Sequence, residues 1–336
     1  MQLGFTVPIF EDPLSRDPYR LTYDLCRRAE AVGFSHAFIG HHHFTPGFQS
    51  APFVFLAGIA AHTSTLQLGT AVYLLPLHHP VLVAEEVATL DRLSGGRALL
   101  GIGTGYRQHE YDGLDAPFHR RGARLEEWVD VVRSAWTGAS ATSAHHGRQL
   151  ELPLLEVLPP PRRPSGPPIW IGGVARAAIE RAGRIGDGWI ADSMQTRSGH
   201  VRRAATYRAA AEASGRTPTV CLVRNAAVGP HGLLEETWLP AAAEQLLAYW
   251  RAGARSRDDA ELAGRLEAGQ PVTLGQMSHD RAIVGTPDDC VAELMRYREG
   301  LDPDLVVLWF DSVRDPAEAR RMIDAFGADV LPAIVT

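Results

Sequence analysis

Lysine is missing from these 336 residues, and all 33 basic side chains are arginine. Its absence excludes a Schiff-base lysine, a pyridoxal phosphate anchor and the lysine of a Walker A phosphate loop. Cysteine is almost as scarce. Cys26, Cys221 and Cys290 stand far apart, are odd in number and form no CxxC pair. Neither a disulfide framework nor a zinc knuckle is expected, and a reduced, cytoplasmic setting fits best. No run of about 18 apolar residues occurs, and the start MQLGFTVPIF lacks the cationic opening and long apolar stretch of a leader, so no membrane span or targeting segment is expected. No arginine cluster resembles a track along a phosphate backbone, and with a net charge of -6 no nucleic-acid partner is expected.

With 45% hydrophobic and 21% charged residues the chain can bury a large core. Short apolar runs lie at Leu3–Val7, Ala37–Ile39, Leu66–Leu75, Ala98–Ile102, Ile169–Ile171, Trp189–Ala191, Thr219–Val228 and Leu305–Phe310. Between them run helical patterns such as Asp17–Ala31, Val81–Leu93, Leu125–Trp136, Arg176–Arg184 and Pro287–Arg298. This alternation predicts one α/β domain over residues 1–336, a (β/α)8 TIM barrel with an insertion after strand 7 and an extended excursion before strand 5. The excursion is the proline-rich stretch Gly138–Pro168. The insertion, about 230–283, follows a strand and is expected to act as a lid or pocket wall. GIGTGY (Gly101–Tyr106) resembles a dinucleotide fingerprint only superficially, because a polar loop and not a helix is expected after it.

The segment AFIGHHHF (Ala37–Phe44) reads as a buried strand that ends at Gly40 and delivers imidazoles to a barrel rim. Side chains alternate along an extended chain, so His41 and His43 should point away from His42. His41, His43, His78, His79, His145 and His146 are suggestive of a metal as a list. Adjacent histidines do not easily supply one tetrahedral set, however, and no HExxH motif occurs, so no metal is expected. Glu110 and Tyr111, in HEYDGL, either line a pocket or belong to a solvated loop. Ala51–Ala61 is apolar nearly all round and must be buried on both faces, inside the chain or against another subunit. Phe10, Phe44, Phe48, Tyr73 and Trp309 at the rim suggest a partly apolar ligand.

GTAVYLLPLHHP from Gly69, LDRLSGGRALLGIGTG from Leu90, PPIWIGG (Pro167–Gly173), IGDGWIAD (Ile185–Asp192) and VGTPDDCVAEL (Val284–Leu294), together with AFIGHHHF, resemble the bacterial luciferase-like flavin-dependent monooxygenase family over nearly the whole chain. The resemblance implies a two-component enzyme that receives reduced FMN from a separate flavin reductase. It would use O2, through a C4a-peroxyflavin, to oxygenate a small, partly apolar organic substrate. The histidine aligned with the family's catalytic site is His42, and His41 stands where many FMN users have an acidic residue. Flavin contacts are implied at Ala71, Val72, Gly103, Thr104, Gly105 and Tyr106, with a non-proline cis peptide between Ala71 and Val72. The phosphate is implied at Gly172, Gly173, Val174 and Arg176. Relatives can carry an arginine where this chain has Thr104, so the phosphate charge falls to Arg176, Arg121 or Arg124. A homodimer through the second and third helices is implied as well. Two alternatives stay open: an F420-dependent oxidoreductase that transfers hydride on the same fold, and a non-catalytic flavin-binding partner subunit.

Overall fold

A computed structural model describes residues 1–12, 14–45, 48–139, 141–145, 148–152, 157–251, 259–310, 313 and 315–334. The fold is a closed eight-stranded parallel (β/α)8 barrel with one extra strand and a separate two-stranded hairpin. The strands are β1 (Gln2–Thr6), β2 (His36–Ile39), β3 (Gln67–Thr70), β4 (Ala98–Ile102), β5 (Ala141–His145), β6 (Arg148–Leu152), β7 (Ile169–Gly172), β8 (Gly188–Ala191), β9 (Val220–Val228), β10 (Ala282–Gly285) and β11 (Leu305–Trp309). Every residue of β2, β4 and β8 is buried, as expected of strands covered on both faces, and this is why they read as unbroken apolar runs.

The chain groups into two compact units, Met1–Ala37 with Ala191–Thr206 and Thr219–Thr336, and Phe38–Ile190 with Tyr207–Pro218. In the first, β10, β9, β11 and β1 lie side by side in that order, with Val306 beside Leu3 and Leu222. Arg224 of β9 is wholly buried. Its Nε donates to the Tyr297 hydroxyl (2.7 Å), Nη1 to the Asp192 carbonyl (3.0 Å) and Nη2 to the Gln195 carbonyl (2.9 Å). The insertion is helical, with His231–Glu236, Trp238–Tyr249, Ala260–Glu267 and Leu274–Ser278, while residues 252–258 lie outside the described residues. Its end departs from the expected boundary: Ala282 and Ile283 already belong to β10, which runs parallel to β9. The helix Pro287–Gly300 then starts on a capping box, Thr286 accepting from the Asp289 N–H while Asp289 accepts from the Thr286 N–H, with Pro287 at the first turn. A cavity of about 450 Å³ in this unit is lined in part by His231, Leu274, His279 and Arg296.

In the second unit β2, β3, β4, β7 and β8 run in that order. The third strand is shorter than the expected Leu66–Leu75. It ends at Thr70, Tyr73 keeps only an isolated bridge to Ile102, and Leu75–Leu77 form a 3₁₀ turn around Pro76. A six-residue helix, Gln108–Gly113, stands where a polar loop was expected after GIGTGY. The excursion holds the antiparallel β5–β6 hairpin and a cis Leu158–Pro159 bond. It is tied down where the Arg162 N–H donates to Asp91 (2.7 Å) and Arg92 to the Pro160 carbonyl (2.6 Å). Arg97 of the SGGRALL motif is nearly buried and donates to the carbonyls of Ala60, Thr63, Leu66 and Ser94, which satisfies the end of the helix Pro52–His62. That helix buries Phe53, Phe55, Leu56 and Ile59 but leaves Val54 exposed. Among the described residues no helix is long and apolar enough to cross a membrane.

Candidate active site

The second unit brings the carboxyl ends of β2, β3, β4 and β7 together, the end at which barrel strands carry their chemistry. The Ala71 N–H donates to the Ile39 carbonyl (3.0 Å), Tyr73 N–H to Gly101 (2.7 Å) and Gly103 N–H to Tyr73 (2.9 Å). The Ala71–Val72 peptide is cis, as the resemblance implies. Val72 is wedged between two glycines: a Cβ would lie 2.6 Å from its Cγ2 at Gly103 and 2.8 Å from its Cγ1 at Gly172. Ala71, Val72, Gly103 and Gly172 therefore form one tight patch. Gly173 packs against Ala178, and its carbonyl accepts from the Trp189 indole N–H (3.0 Å). Val174 is half-buried, and Arg176 is exposed and paired with Glu180 at 2.7 Å. The Thr104 carbonyl accepts from the Tyr111 hydroxyl, Gly105 has φ +66°, and Tyr106 is partly exposed at the rim.

His42 sits beside this patch's strands. Its Nδ1 lies 2.9 Å from Oε1 of Glu110, and because a carboxylate only accepts, that nitrogen carries the proton. The same oxygen accepts the His43 backbone N–H at 2.8 Å. The Glu110 side chain is 0% exposed and that of His42 11%. Burial alone would raise the Glu110 pKa, but the His42 hydrogen bond and charge, the His43 N–H and nearby Arg107 outweigh it and hold the carboxyl below its ordinary value. Glu110 Oε2 is buried and has no partner among the described residues. The imidazole of His42 stands edge-on to Phe48 (4.6 Å) and Tyr106 (6.0 Å). Arg107 donates to the Thr45 hydroxyl (2.6 Å) and lies over the Tyr106 ring, and no described residue answers its buried Nε. A six-residue helix just past β4 thus delivers the residue that organises His42. The sequence left Glu110 open between pocket and solvent, its one signal being a position after the fourth strand.

His41 and His43 turn away from His42, as alternation requires. Nε2 of His43 is 3.1 Å from Nε2 of His41 and 3.2 Å from Nε2 of His78. The Leu74 N–H donates to His41 Nδ1 (3.1 Å), and Tyr73 stacks on His41 at 4.5 Å. Burial first, then the neighbouring histidines, pushes His41 down to about 2 and His78 to about 4, and burial lowers His43. His79 precedes the helix Pro80–Leu93, His145 closes β5, and His146 lies outside the described residues. Tyr73, expected at the rim, is buried beneath these imidazoles; Phe44 is 63% exposed there, while Phe10 and Trp309 belong to the first unit. Arg121 lies over Phe118 (3.9 Å), and Arg124 is buried over Trp128 (4.1 Å) with an Nε that no described residue answers.

The sequence profile of the luciferase-like monooxygenases matches residues 1–302. The chain belongs to the luciferase-like monooxygenase family. This luciferase-like chain spans about half the length of the first curated relatives it matches. One is the F420-dependent hydroxymycolic acid dehydrogenase of Mycobacterium tuberculosis, 33% identical over 200 residues, 57% of this chain and 53% of that protein. The oxygenase component of the flavin-dependent trigonelline monooxygenase of Acinetobacter baylyi is 26% identical over 339 residues, 92% of this chain and 88% of that one. The crystal structure of the monooxygenase RslO1 from Streptomyces bottropensis shares the fold, with a TM-score of 0.80, 24% identity and 99% of both chains covered. The relatives with a named activity are oxidoreductases, F420-dependent dehydrogenases and a flavin-dependent monooxygenase.

Proposed function

We propose that this chain is the oxygenase of a two-component system, receiving reduced FMN from a separate flavin reductase and using O2 to oxygenate a small, partly apolar organic substrate. The observation that carries the reading is the His42–Glu110 pair at the carboxyl ends of the barrel strands. Reduced flavin, when bound, supplies the electrons that activate oxygen. The chain supplies binding, orientation and proton handling. Glu110, ionised and shut from water, accepts the Nδ1 proton of His42 and fixes the ring, so Nε2 is the atom left to handle a proton. Phe48 and Tyr106 flank the ring and keep water from it.

The residues present fit an anionic flavin. The buried Nε donors of Arg107 and Arg124, which no described residue answers, would serve an anion in this unit. Val72, packed between Gly103 and Gly172, would support the ring system with Ala71, Thr104 and Tyr106. Gly172, Gly173 and Val174, with the helix that starts at Arg176, would hold the phosphate, while the Arg176 side chain is taken by Glu180. The relative described as an oxygenase component supports a separate reductase. Val54 and Leu82, exposed on the helices Pro52–His62 and Pro80–Leu93, support a homodimer through that face. Three buried free cysteines fit a reducing cytoplasm.

The 33% identity to an F420-dependent dehydrogenase favours hydride transfer with F420 as the second reading. An anaerobic fluorescence titration with reduced FMN and, separately, with F420 tests both. The expected result is tight binding of reduced FMN and substrate-dependent O2 consumption once a flavin reductase is added. Tight F420 binding without affinity for reduced FMN overturns the proposal, and flavin binding with turnover only after a second subunit is supplied identifies a partner subunit instead.

A further inference from the structure

We propose that His41, His43 and His78 form a site for one zinc-like divalent transition-metal ion, with three imidazole Nε2 ligands and a fourth position for water. Their ligand nitrogens all lie within 4.8 Å of one another, with His43 at 3.1 Å from His41 and 3.2 Å from His78. Nitrogens bound about 2.05 Å from a tetrahedral ion are held about 3.3 Å apart, so two edges of the set already have nearly the spacing that zinc imposes. Without an ion the arrangement is chemically incomplete. The Nε2 of His43 faces two other nitrogens but owns one proton or one lone pair, so it makes one good hydrogen bond and leaves the other contact poorly matched. A single cation answers all three nitrogens once His41 has given up its Nε2 proton.

The rings are held in place before any ion arrives. Tyr73 lies against both His41 (4.5 Å) and His78 (4.6 Å), and burial keeps the imidazoles uncharged. An all-imidazole set selects zinc, cobalt, nickel or copper over calcium and magnesium. His41 and His43 follow β2 while His78 follows the Leu75–Leu77 turn, so the ion would cross-link two loops. The expectation of no metal rested on adjacent histidines, whereas the structure uses alternate ones and adds His78 from a distant loop. Leu74 N–H occupies His41 Nδ1, so neutral His41 carries its proton on Nε2. That proton leaves to solvent on loading, so His41 binds as an imidazolate whose Nδ1 keeps the Leu74 N–H as its donor, and its negative charge faces the ion.

The site uses neither His42 nor Glu110, so its failure would leave the flavin reading untouched. The test takes the tag-free full chain, stripped with a chelator, and titrates it with Co2+ followed by Zn2+ under calorimetry and visible spectroscopy. Expected are one ion per chain with a micromolar or lower Kd, the intense visible band of four-coordinate cobalt, its loss on adding zinc, and buffer-dependent heats from the released proton. His78→Ala and His43→Gln should each abolish the band and weaken binding by about tenfold or more, while His119→Ala, exposed on the Phe118–Arg120 turn, should change nothing. Absence of the band in the unaltered chain, affinity only in the millimolar range, or binding that survives His78→Ala would overturn the proposal. The wild-type spectrum decides even if a variant misfolds.

Discussion

Two fully buried charges, Arg224 in the first unit and Glu110 in the second, are treated in opposite ways. Each of the three Arg224 nitrogens has an acceptor, in a tyrosine hydroxyl and the carbonyls of Asp192 and Gln195. Among the described residues Glu110 has two donors on one oxygen and none on the other. A charge whose bonding capacity is used up by its own fold is structural, because nothing remains for a ligand. One with capacity left over, aimed at a histidine on a strand end, is costly unless a ligand or reaction uses it. The largest predicted effect tests the first half of that contrast. Arg224→Met should cost about 3–5 kcal/mol, because the stranded carbonyls and hydroxyl lose their donor. Chemical denaturation reads this directly, and a loss under about 1 kcal/mol would mean that the arginine is not structural.

Glu110→Gln should do the reverse. Its shape is kept and a buried charge is removed, so the melting transition should move little, while turnover coupled to a reductase should fall about 100-fold as His42 loses its ionised partner. A variant with full activity would reduce Glu110 to a packing residue.

Acid unfolding separates the two sides of the histidine segment. His41 and His78 have native pKa values near 2 and 4, below the ordinary 6.5. Their stabilising contribution is complete above 6.5 and is lost as pH falls from there toward the native values, because the unfolded chain takes up protons that the native rings refuse. Glu110 is held below 4.5, so its contribution is complete above 4.5 and is lost only as pH drops through its depressed native value. His78→Gln should flatten the upper part of a stability–pH curve and Glu110→Gln the lower part. A single transition unaffected by either variant would show that neither side is coupled to folding.

These contrasts also show how far the sequence reaches. The eight barrel strands were legible because each is a short apolar run buried on both faces, so composition alone marks it. β10 was missed because Ala282–Gly285 is only four residues long and hides in a charged insertion. The third strand was drawn too long because Leu74, Leu75 and Leu77 are as apolar as a strand, yet they are buried in a turn. The position of His42 just past β2 was legible from the apolar run before it, and the cis peptide from the resemblance. Glu110 and the grouping of His41, His43 and His78 were not, since each depends on loops after different strands folding back over one another. Local pattern does not encode that meeting.

The smallest effect concerns the phosphate, where two arginines differ as Arg224 and Glu110 do. Arg176 is solvent-exposed and already paired with Glu180, and a screened surface pair one helical turn apart contributes little. Arg124 is buried against Trp128, with an Nε that no described residue answers. Arg176→Ala should therefore leave the melting temperature and the affinity for reduced FMN unchanged. Arg124→Gln should weaken reduced FMN by about tenfold, the effect of one charge-assisted hydrogen bond, without altering affinity for reduced riboflavin, which lacks the phosphate. Comparing the two ligands in one anaerobic titration isolates the phosphate from the ring. Equal losses for both would place Arg124 under the fold instead of against the anion, and a loss at Arg176 alone would return the phosphate charge to the helix that begins there.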